Sequence, residues 1–166
     1  PDFLFGLNIN LAYKNWDMSM FWNGSIGNDI FDNTAVYYES PQFFNGNRST
    51  RVLDAWSPSN PGGKYPALSE TILNNEFSQS NSFFIRDGSF ARLRTLQIGY
   101  TLSDSIASKI GASSARLFYN GTNLLTITDF DGFDPEVPNG GSLLLGWYTG
   151  QYPQKATSSI GINIKF

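Results

Sequence analysis

Two segments of the chain alternate apolar and polar residues so regularly that each predicts an extended strand with two different faces. Phe3 to Tyr13 reads FLFGLNINLAY, with large apolar residues at the odd positions and mostly small or polar residues at the even ones. Ser158 to Phe166 reads SSIGINIKF and places an apolar residue at every second position up to the last. Because successive side chains of a strand point to opposite faces, these segments need apolar surroundings on one side and polar surroundings on the other.

The composition excludes several classes of function. The 166 residues include neither cysteine nor histidine, which removes disulfide frameworks, thiolate metal sites and histidine-activated nucleophiles. Charged residues make up 15% of the chain, against roughly 25% in an ordinary soluble domain, and the net charge is -3. Nucleic-acid binding needs a basic surface. We therefore expect no nucleic-acid partner, no metal, no cofactor and no enzymatic activity.

The sequence predicts no transmembrane helix, because it has no run of 18 or more apolar residues. The strands of a membrane barrel alternate instead, and each gives a much weaker hydropathy signal than a spanning helix. The first strand, at about eleven residues, is long enough to cross an outer membrane at a tilt. The chain begins at Pro1 without an initiating Met, which predicts that it is a piece of a longer protein.

The whole pattern predicts an all-β, antiparallel fold with five strands and two long loops. The strands cover residues 3–14, 17–27, 83–102, 114–126 and 158–166, and the loops cover residues 28–82 and 127–157. A tight turn at Lys14–Asp17 joins the first two strands, and Ser103–Gly111 predicts a short helical link that ends at Gly111. Asn28–Tyr38 and Arg48–Trp56 could form short helices within the first long loop.

Short connections alternate with long ones, which is the pattern of outer-membrane barrels with short periplasmic turns and long extracellular loops. A last strand that ends in the periplasm puts Lys14–Asp17 and Ser103–Gly111 there too, and both long loops outside the cell. Five strands are too few to close a membrane barrel, for which eight is the smallest number. We therefore expect the chain to be the C-terminal part of a larger barrel.

Four blocks of the second half occur in a characteristic order and spacing: SFARLRTLQIGYTL at 89–102, ARLFYNGTNLLTIT at 115–128, FDGFDPEV at 130–137 and YPQKATSSIGINIKF at 152–166. Together they resemble the C-terminal end of SusC/RagA-type TonB-dependent transporters of Bacteroidota. The opening block, residues 1–32, is similar to the strand pair that precedes the long late loop of that family. The resemblance covers most of the chain outside residues 33–81.

The resemblance implies a transmembrane barrel of 22 strands with an N-terminal plug, of which this chain would supply the last five strands. Such transporters import oligosaccharides, peptides or similar large nutrients across the outer membrane. The implied partners are a SusD-like surface lipoprotein, the TonB complex through a part absent from this chain, outer-membrane lipid and the barrel-assembly machinery. Ile162, Ile164 and Phe166 would then form the terminal signal for barrel assembly, with the C-terminus in the periplasm.

Aromatic residues of the long loops are candidates for contact with substrate or with the lipoprotein lid. The candidates are Trp56, Trp147, Tyr148 and Tyr152, with Tyr37 and Tyr38 as further aromatic residues of the first loop. Such residues could equally pack one loop against another.

Charged residues allow two interpretations each. Arg86, Arg92 and Arg94 could recognise an anionic substrate, but ion pairs with Asp87 or with neighbouring strands are the favoured interpretation. The acidic stretch Asp129–Glu136 could bind calcium. Its spacing does not fit an EF-hand loop, so we favour residues that fix turns.

Two other functions share parts of this pattern. A surface glycan-binding β-domain would bury Phe3, Phe5, Leu7, Ile9 and Leu11 against a second sheet, whereas a barrel exposes them to lipid. A passive porin or adhesin would have the same barrel without a plug before Pro1.

Overall fold

The computed structural model describes residues 1–40, 46–68, 81–137 and 145–166, so parts of both predicted long loops lie outside the described residues. The chain divides into two compact units. The first, called the sheet unit here, consists of Pro1–Asn28, Gly88–Glu136 and Tyr152–Phe166. The second, called the insert unit, consists of Asp29–Asp87 and Val137–Gln151.

Antiparallel β-structure dominates the described chain, which confirms the predicted fold class. The strands are β1 (Phe3–Tyr13), β2 (Trp16–Ile26), β3 (Asp29–Asp32), β4 (Ile85–Asp87), β5 (Phe90–Thr101), β6 (Ser114–Thr128), β7 (Trp147–Tyr148) and β8 (Thr157–Lys165). The helices are α1 (Asn33–Glu39) and α2 (Asp104–Ala107), with 3₁₀ turns at Thr50–Asp54, Ser82–Phe84 and Ser108–Ile110.

The sheet unit holds five strands in the order β1-β2-β5-β6-β8, and every neighbouring pair is antiparallel. β1 and β2 form a hairpin in which Tyr13 pairs with Trp16, so that only Lys14 and Asn15 form the loop. Lys14 has a φ of 53°, which is the left-handed backbone conformation that tight hairpin loops require.

The strand pairing aligns side chains of equal polarity into rows that cross the whole sheet. One row reads Leu11, Met18, Ile98, Tyr119 and Ile160. The row beside it, one residue along each strand, reads Asn10, Ser19, Gln97, Asn120 and Ser159. Since directly paired residues of antiparallel strands lie on the same face, the sheet has one apolar and one polar face.

The prediction of one strand over residues 83–102 is wrong, because the chain is interrupted between β4 and β5. β4 pairs with β3 in the insert unit, whereas β5 lies in the sheet unit. Between them, Gly88 exchanges hydrogen bonds with Asn28, whose side chain donates to the Gly88 carbonyl and whose carbonyl accepts from the Gly88 amide. The Ser89 carbonyl accepts from the Thr128 hydroxyl. The backbone groups of Gly88 and Ser89 that make these bonds are therefore not available to continue the strand pairing from β4 into β5.

The predicted helical link at Ser103–Gly111 is confirmed. Ser103 is the N-cap of α2, and the following 3₁₀ turn ends at Gly111, which has a φ of 71°. Glycine adopts this conformation without steric cost, so Gly111 terminates the turn where the sequence predicts.

The insert unit has its own small sheet, in the order β4-β3-β7, with β3 and β7 parallel. α1 follows β3 directly, and the Asp32 carboxylate caps it by accepting from the amides of Thr34 and Ala35. A core of Ala35, Val36 and Phe84 lies beneath the helix, and the partly buried Phe31 and Phe83 pack against it.

A buried carboxylate at the end of α1 ties the insert unit together. Glu39 is 2% exposed and accepts from the guanidinium groups of Arg51 (2.7 Å) and Arg86 (3.0 Å) and from the Tyr65 hydroxyl (3.1 Å). A buried charge is tolerated only when such partners replace its hydration. Glu39 therefore joins α1 to the 3₁₀ turn at 50–54, to β4 and to Tyr65.

This arrangement predicts a pH effect from one tyrosine. Burial, together with the Glu39 carboxylate, raises the pKa of Tyr65 to about 12. The pKa in the folded state lies above the unfolded value of about 10. The contribution of the protonated Tyr65 phenol to the stability of the fold is therefore complete below pH ~10, and it is lost as the pH rises through the folded pKa. An ultraviolet difference titration of the full-length protein against its Tyr65→Phe variant should show one phenol ionising near pH 12. A difference curve centred near pH 10 would contradict the buried contact with Glu39.

Candidate functional site

The apolar face of the sheet unit is exposed. Leu7 is 51% exposed, Ile162 is 54% exposed, and Phe3, Leu11 and Leu117 are exposed to a similar degree. A soluble protein rarely leaves a contiguous apolar surface of this kind uncovered. Within the described residues these side chains do not pack against a second sheet, so the burial that a soluble glycan-binding domain requires is not seen.

Aromatic residues mark one end of the apolar face, next to the hairpin loop. The rings of Trp16 and Tyr100 lie 4.8 Å apart, and the Lys14 ammonium lies 5.4 Å from the centre of the Tyr13 ring. Tyr13, Trp16 and Tyr100 belong to one row of the sheet. Aromatic rings with a polar edge favour the boundary between hydrocarbon and water, and transmembrane barrels carry girdles of them there.

The polar face is lined mainly by amides and hydroxyl groups, and one ion pair crosses it near the hairpin end. Arg116 of β6 donates to both carboxylate oxygens of Asp17 in β2, across the intervening strand β5. The path runs over Gly99, where a Cβ atom would clash with the Arg116 guanidinium. Glycine at this position therefore allows the two charges to meet.

Two of the arginines singled out by sequence form a charged cluster at the other end of the polar face. Arg92 is 2% exposed and pairs with Asp134 and with Glu136 (3.0 Å), and its Nε donates to the Thr126 hydroxyl (2.9 Å). Arg94 pairs with the same Glu136. The favoured prediction of ion pairs is confirmed, although the partners are residues of the acidic segment rather than Asp87 or the neighbouring strands. The third arginine, Arg86, pairs with Glu39 in the insert unit.

A bulge in the sheet directs Arg94 into this cluster. Uninterrupted alternation from Leu96 would place Arg94 on the apolar face. The register between β5 and β6 shifts between Leu93 and Thr95, and Asn123 on the partner strand has a φ of 51°. The extra residue restores Leu93 to the apolar face, while the Arg94 guanidinium reaches Glu136 and the Asn123 side chain. Bulges commonly redirect a side chain in this way.

Asp134 connects the cluster to the chain on the other side of the second long loop. Its carboxylate accepts from the backbone amides of Glu136 (2.9 Å) and Gln154 (2.8 Å) as well as from Arg92. Asn123 donates to the Lys155 carbonyl nearby. The Asp134 carboxylate therefore fixes backbone on both sides of the second long loop. Among the described residues, no group of three or more acidic side chains is placed to hold a metal ion.

The four loop residues proposed from sequence to contact a ligand or the lid occupy different surroundings. Trp56 is exposed, and its amide donates to the Tyr65 carbonyl. Trp147 lies in β7, and its ring packs at a tilt against that of Phe31, with 4.7 Å between the ring centres. Tyr148, beside it, is 3% exposed and therefore packs inside the insert unit. Tyr152 belongs to the sheet unit and is 79% exposed, with the Lys155 ammonium 5.7 Å from its ring.

The three residues of the proposed assembly signal lie on or beyond the edge strand β8. Ile162 pairs with Leu117 and Ile164 with Ala115 of β6, on the apolar face, and Phe166 follows the strand. All three are exposed. This placement on the exposed end of β8 is compatible with the proposed signal.

A cleft that the sequence did not single out lies in the insert unit. Its volume is about 310 Å³, and its lining residues are Asn33, Thr34, Tyr37, Tyr38 and Thr149. The four helical residues are spaced i, i+1, i+4 and i+5, which places them along one side of α1. This spacing marks one side of the helix, but Thr149 is brought to it only by the parallel pairing of β3 and β7, which the sequence does not reveal.

Sequence comparison finds relatives over essentially the full length of the chain. It is 35% identical to TonB-dependent receptor P3 of Formosa agariphila, over 100% of this chain and 16% of the relative. It is 25% identical to TonB-dependent receptor SusC of Bacteroides thetaiotaomicron, over 99% of this chain and 15% of the relative. The chain thus spans about one sixth of the relatives that it matches. No family model matches the chain, and no described helix is long and apolar enough to cross a membrane.

Solved structures agree with the sequence relatives. The RagAB peptide importer in its open-open state matches with a TM-score of 0.79 and 24% identity, over 98% of this chain and 17% of that chain. A structure of the RagAB peptide transporter matches with a TM-score of 0.79 and 25% identity, over 97% of this chain and 17% of that chain. The resemblance to the SusC/RagA type is thereby confirmed, and the chain is homologous to one segment of the TonB-dependent receptors.

Proposed function

We propose that residues 1–166 form the last five strands of the barrel of an outer-membrane transporter that imports nutrients in a TonB-dependent manner. The apolar face contacts lipid and the polar face lines the interior. The loops at 28–82 and 127–157 lie outside the cell, and the C-terminus lies in the periplasm. The relatives support this proposal, since their names describe them as TonB-dependent receptors and do not describe them as enzymes.

The observation that carries the proposal is the agreement of all five strands on which face is apolar. Hydrocarbon offers no partners to backbone amides and carbonyls, so a sheet survives there only when its strands are paired and its outer face is apolar. A single alternating strand is common in soluble sheets. Rows of matched polarity across five strands, ending at an aromatic cluster, fit a bilayer on one side and a wet interior on the other.

The edges of the sheet support a larger barrel. Within the described residues, β1 pairs only with β2 and β8 pairs only with β6. Each therefore presents a row of backbone groups that needs a further strand, because an open edge is not tolerated in lipid. The relatives are about six times as long as this chain, which leaves ample sequence for the remaining strands of a 22-stranded barrel.

The cargo and the partners are proposed from the same likeness. The structural neighbours are described as RagAB peptide importers, and SusC is among the relatives. We infer import of oligosaccharides, peptides or similar large nutrients, together with a SusD-like surface lipoprotein and the TonB complex. The balanced charges on the polar face, where Arg116 meets Asp17, give this part of the wall little net charge.

Transport is tested with the full-length protein in its own host. Deletion of the gene should abolish uptake of at least one labelled oligosaccharide or peptide, and the wild-type gene should restore it. Because the proposed transport is energised, a protonophore should stop the restored uptake. Uptake that is restored but persists after collapse of the proton-motive force would contradict active transport and favour a passive porin.

A matched pair of lysine substitutions tests the assignment of the two faces. Ile162→Lys puts a charge on the apolar face of β8 and should destabilise the protein by about 2–4 kcal/mol near the bilayer midplane. Ser159→Lys puts the same charge on the polar face of β8, opposite the uncharged Asn120, and should cost much less. The measurement is denaturant unfolding of the full-length protein in lipid bilayers. Equal losses for the two variants would contradict the assignment.

A further inference from the structure

The cleft beside α1 is built by two segments that are distant in sequence. β3 and β7 run parallel, with Phe31 opposite Trp147 and Asp32 opposite Tyr148. This pairing brings Thr149, directly after β7, beside the residues that begin α1. Gly150 follows with a φ of 77°, and a Cβ atom there would lie 3.3 Å from the Thr34 methyl group. The approach of the two segments leaves the cleft of about 310 Å³ between them, a volume at the lower limit of small-ligand pockets.

The two tyrosines of the cleft sit on a rigid support. Asp32 caps the start of α1, and Glu39 fixes its end to Arg51, Arg86 and Tyr65. The guanidinium of Arg48 donates to the Tyr37 carbonyl (3.1 Å). Because the backbone of α1 is held at both ends, the rings of Tyr37 and Tyr38 need little reorganisation to meet a ligand.

The chemistry of the lining is aromatic, polar and uncharged. Tyr37 is 40% exposed and Tyr38 is 52% exposed, so both rings are accessible. Within the described part of the chain, the Asn33 amide, the Tyr38 hydroxyl and the Thr149 hydroxyl have no hydrogen-bond partner. None of the five lining residues is charged. Aromatic faces that pack on C–H groups, surrounded by free donors and acceptors, suit a ring that carries hydroxyl groups.

We propose that this cleft binds a neutral sugar residue of a glycan. Tyr37 and Tyr38 pack on the face of the sugar ring, and Asn33 and Thr149 bond its hydroxyl groups. A charged ligand is disfavoured, because the lining offers no opposite charge to replace the lost hydration. If the protein is a transporter as proposed, the cleft identifies neutral oligosaccharides as the nutrients that it imports. Only this identification of the cargo rests on the proposed function, whereas sugar binding by the cleft does not.

The test measures binding of neutral and uronic-acid oligosaccharides to the purified full-length protein by calorimetry. We expect a neutral oligosaccharide to bind, and Tyr38→Ala to weaken it about tenfold, the equivalent of ~1.4 kcal/mol. Tyr38→Phe keeps the ring and should retain most of the affinity. Leu53→Ala, at an exposed residue of the insert unit outside the cleft, is the matched control and should bind like the wild type.

Three results would overturn the site: no neutral oligosaccharide binds, Tyr38→Ala binds as well as the wild type, or Tyr38→Ala loses association with a surface lipoprotein while glycan binding is unchanged. Heat-modifiable migration in gels verifies that each variant is folded. Uptake assays separate the two proposals. If the protein takes up nutrients in an energised manner but the cleft binds no glycan, only the proposed binding site is refuted. If the cleft binds glycan but there is no energised uptake, only the proposed transport function is refuted.

Discussion

A bilayer gives a sheet no water with which to satisfy its backbone, and this constraint accounts for most of what the sheet unit shows. Strands can remain there only if they pair with one another and turn one apolar face outward. In the sequence, this constraint is seen as the alternation of apolar and polar residues in β1 and β8. In the structure, it is seen as an apolar row from Leu11 to Ile160 beside a polar row from Asn10 to Ser159. A shift of one residue in any pairing would exchange the faces of a strand. The register is therefore fixed by polarity along the whole sheet.

The arginines of β5 and β6 must lie away from the apolar face, and local backbone geometry places Arg94 and Arg116 where they meet carboxylates. Gly99 lets Arg116 cross a strand to Asp17. The bulge after Leu93 moves Arg94 off the apolar face and toward Glu136. The same cluster uses Asp134 to hold the backbone on both sides of the second long loop. Ion pairs therefore serve here to keep charge away from the apolar face and to fix the ends of a loop.

The sequence predicted what depends on local period and missed what depends on a register change or a distant partner. The two-faced strands β1 and β8, the tight loop at Lys14 and the helical link that ends at Gly111 are all encoded by neighbouring residues. The interruption at Gly88 was missed, because its cause is hydrogen bonding to Asn28, sixty residues away. Likewise, Tyr148 was grouped with exposed loop aromatics, although parallel pairing with β3 buries it. The cleft beside α1 could not be predicted for the same reason, since Thr149 reaches it only through that pairing.

The most direct test of the account asks which side of the sheet meets lipid. The 166 residues contain no cysteine, so single cysteines introduced into neighbouring rows can carry spin labels in the full-length protein in bilayers, once any cysteine outside this segment has been replaced. Labels at Leu11, Ile98 and Ile160 should collide preferentially with oxygen dissolved in lipid, and labels at Asn10, Gln97 and Ser159 with a water-soluble nickel complex. The account predicts this alternation in phase on all three strands. Equal accessibility of the two rows, or strands that alternate out of phase, would contradict it.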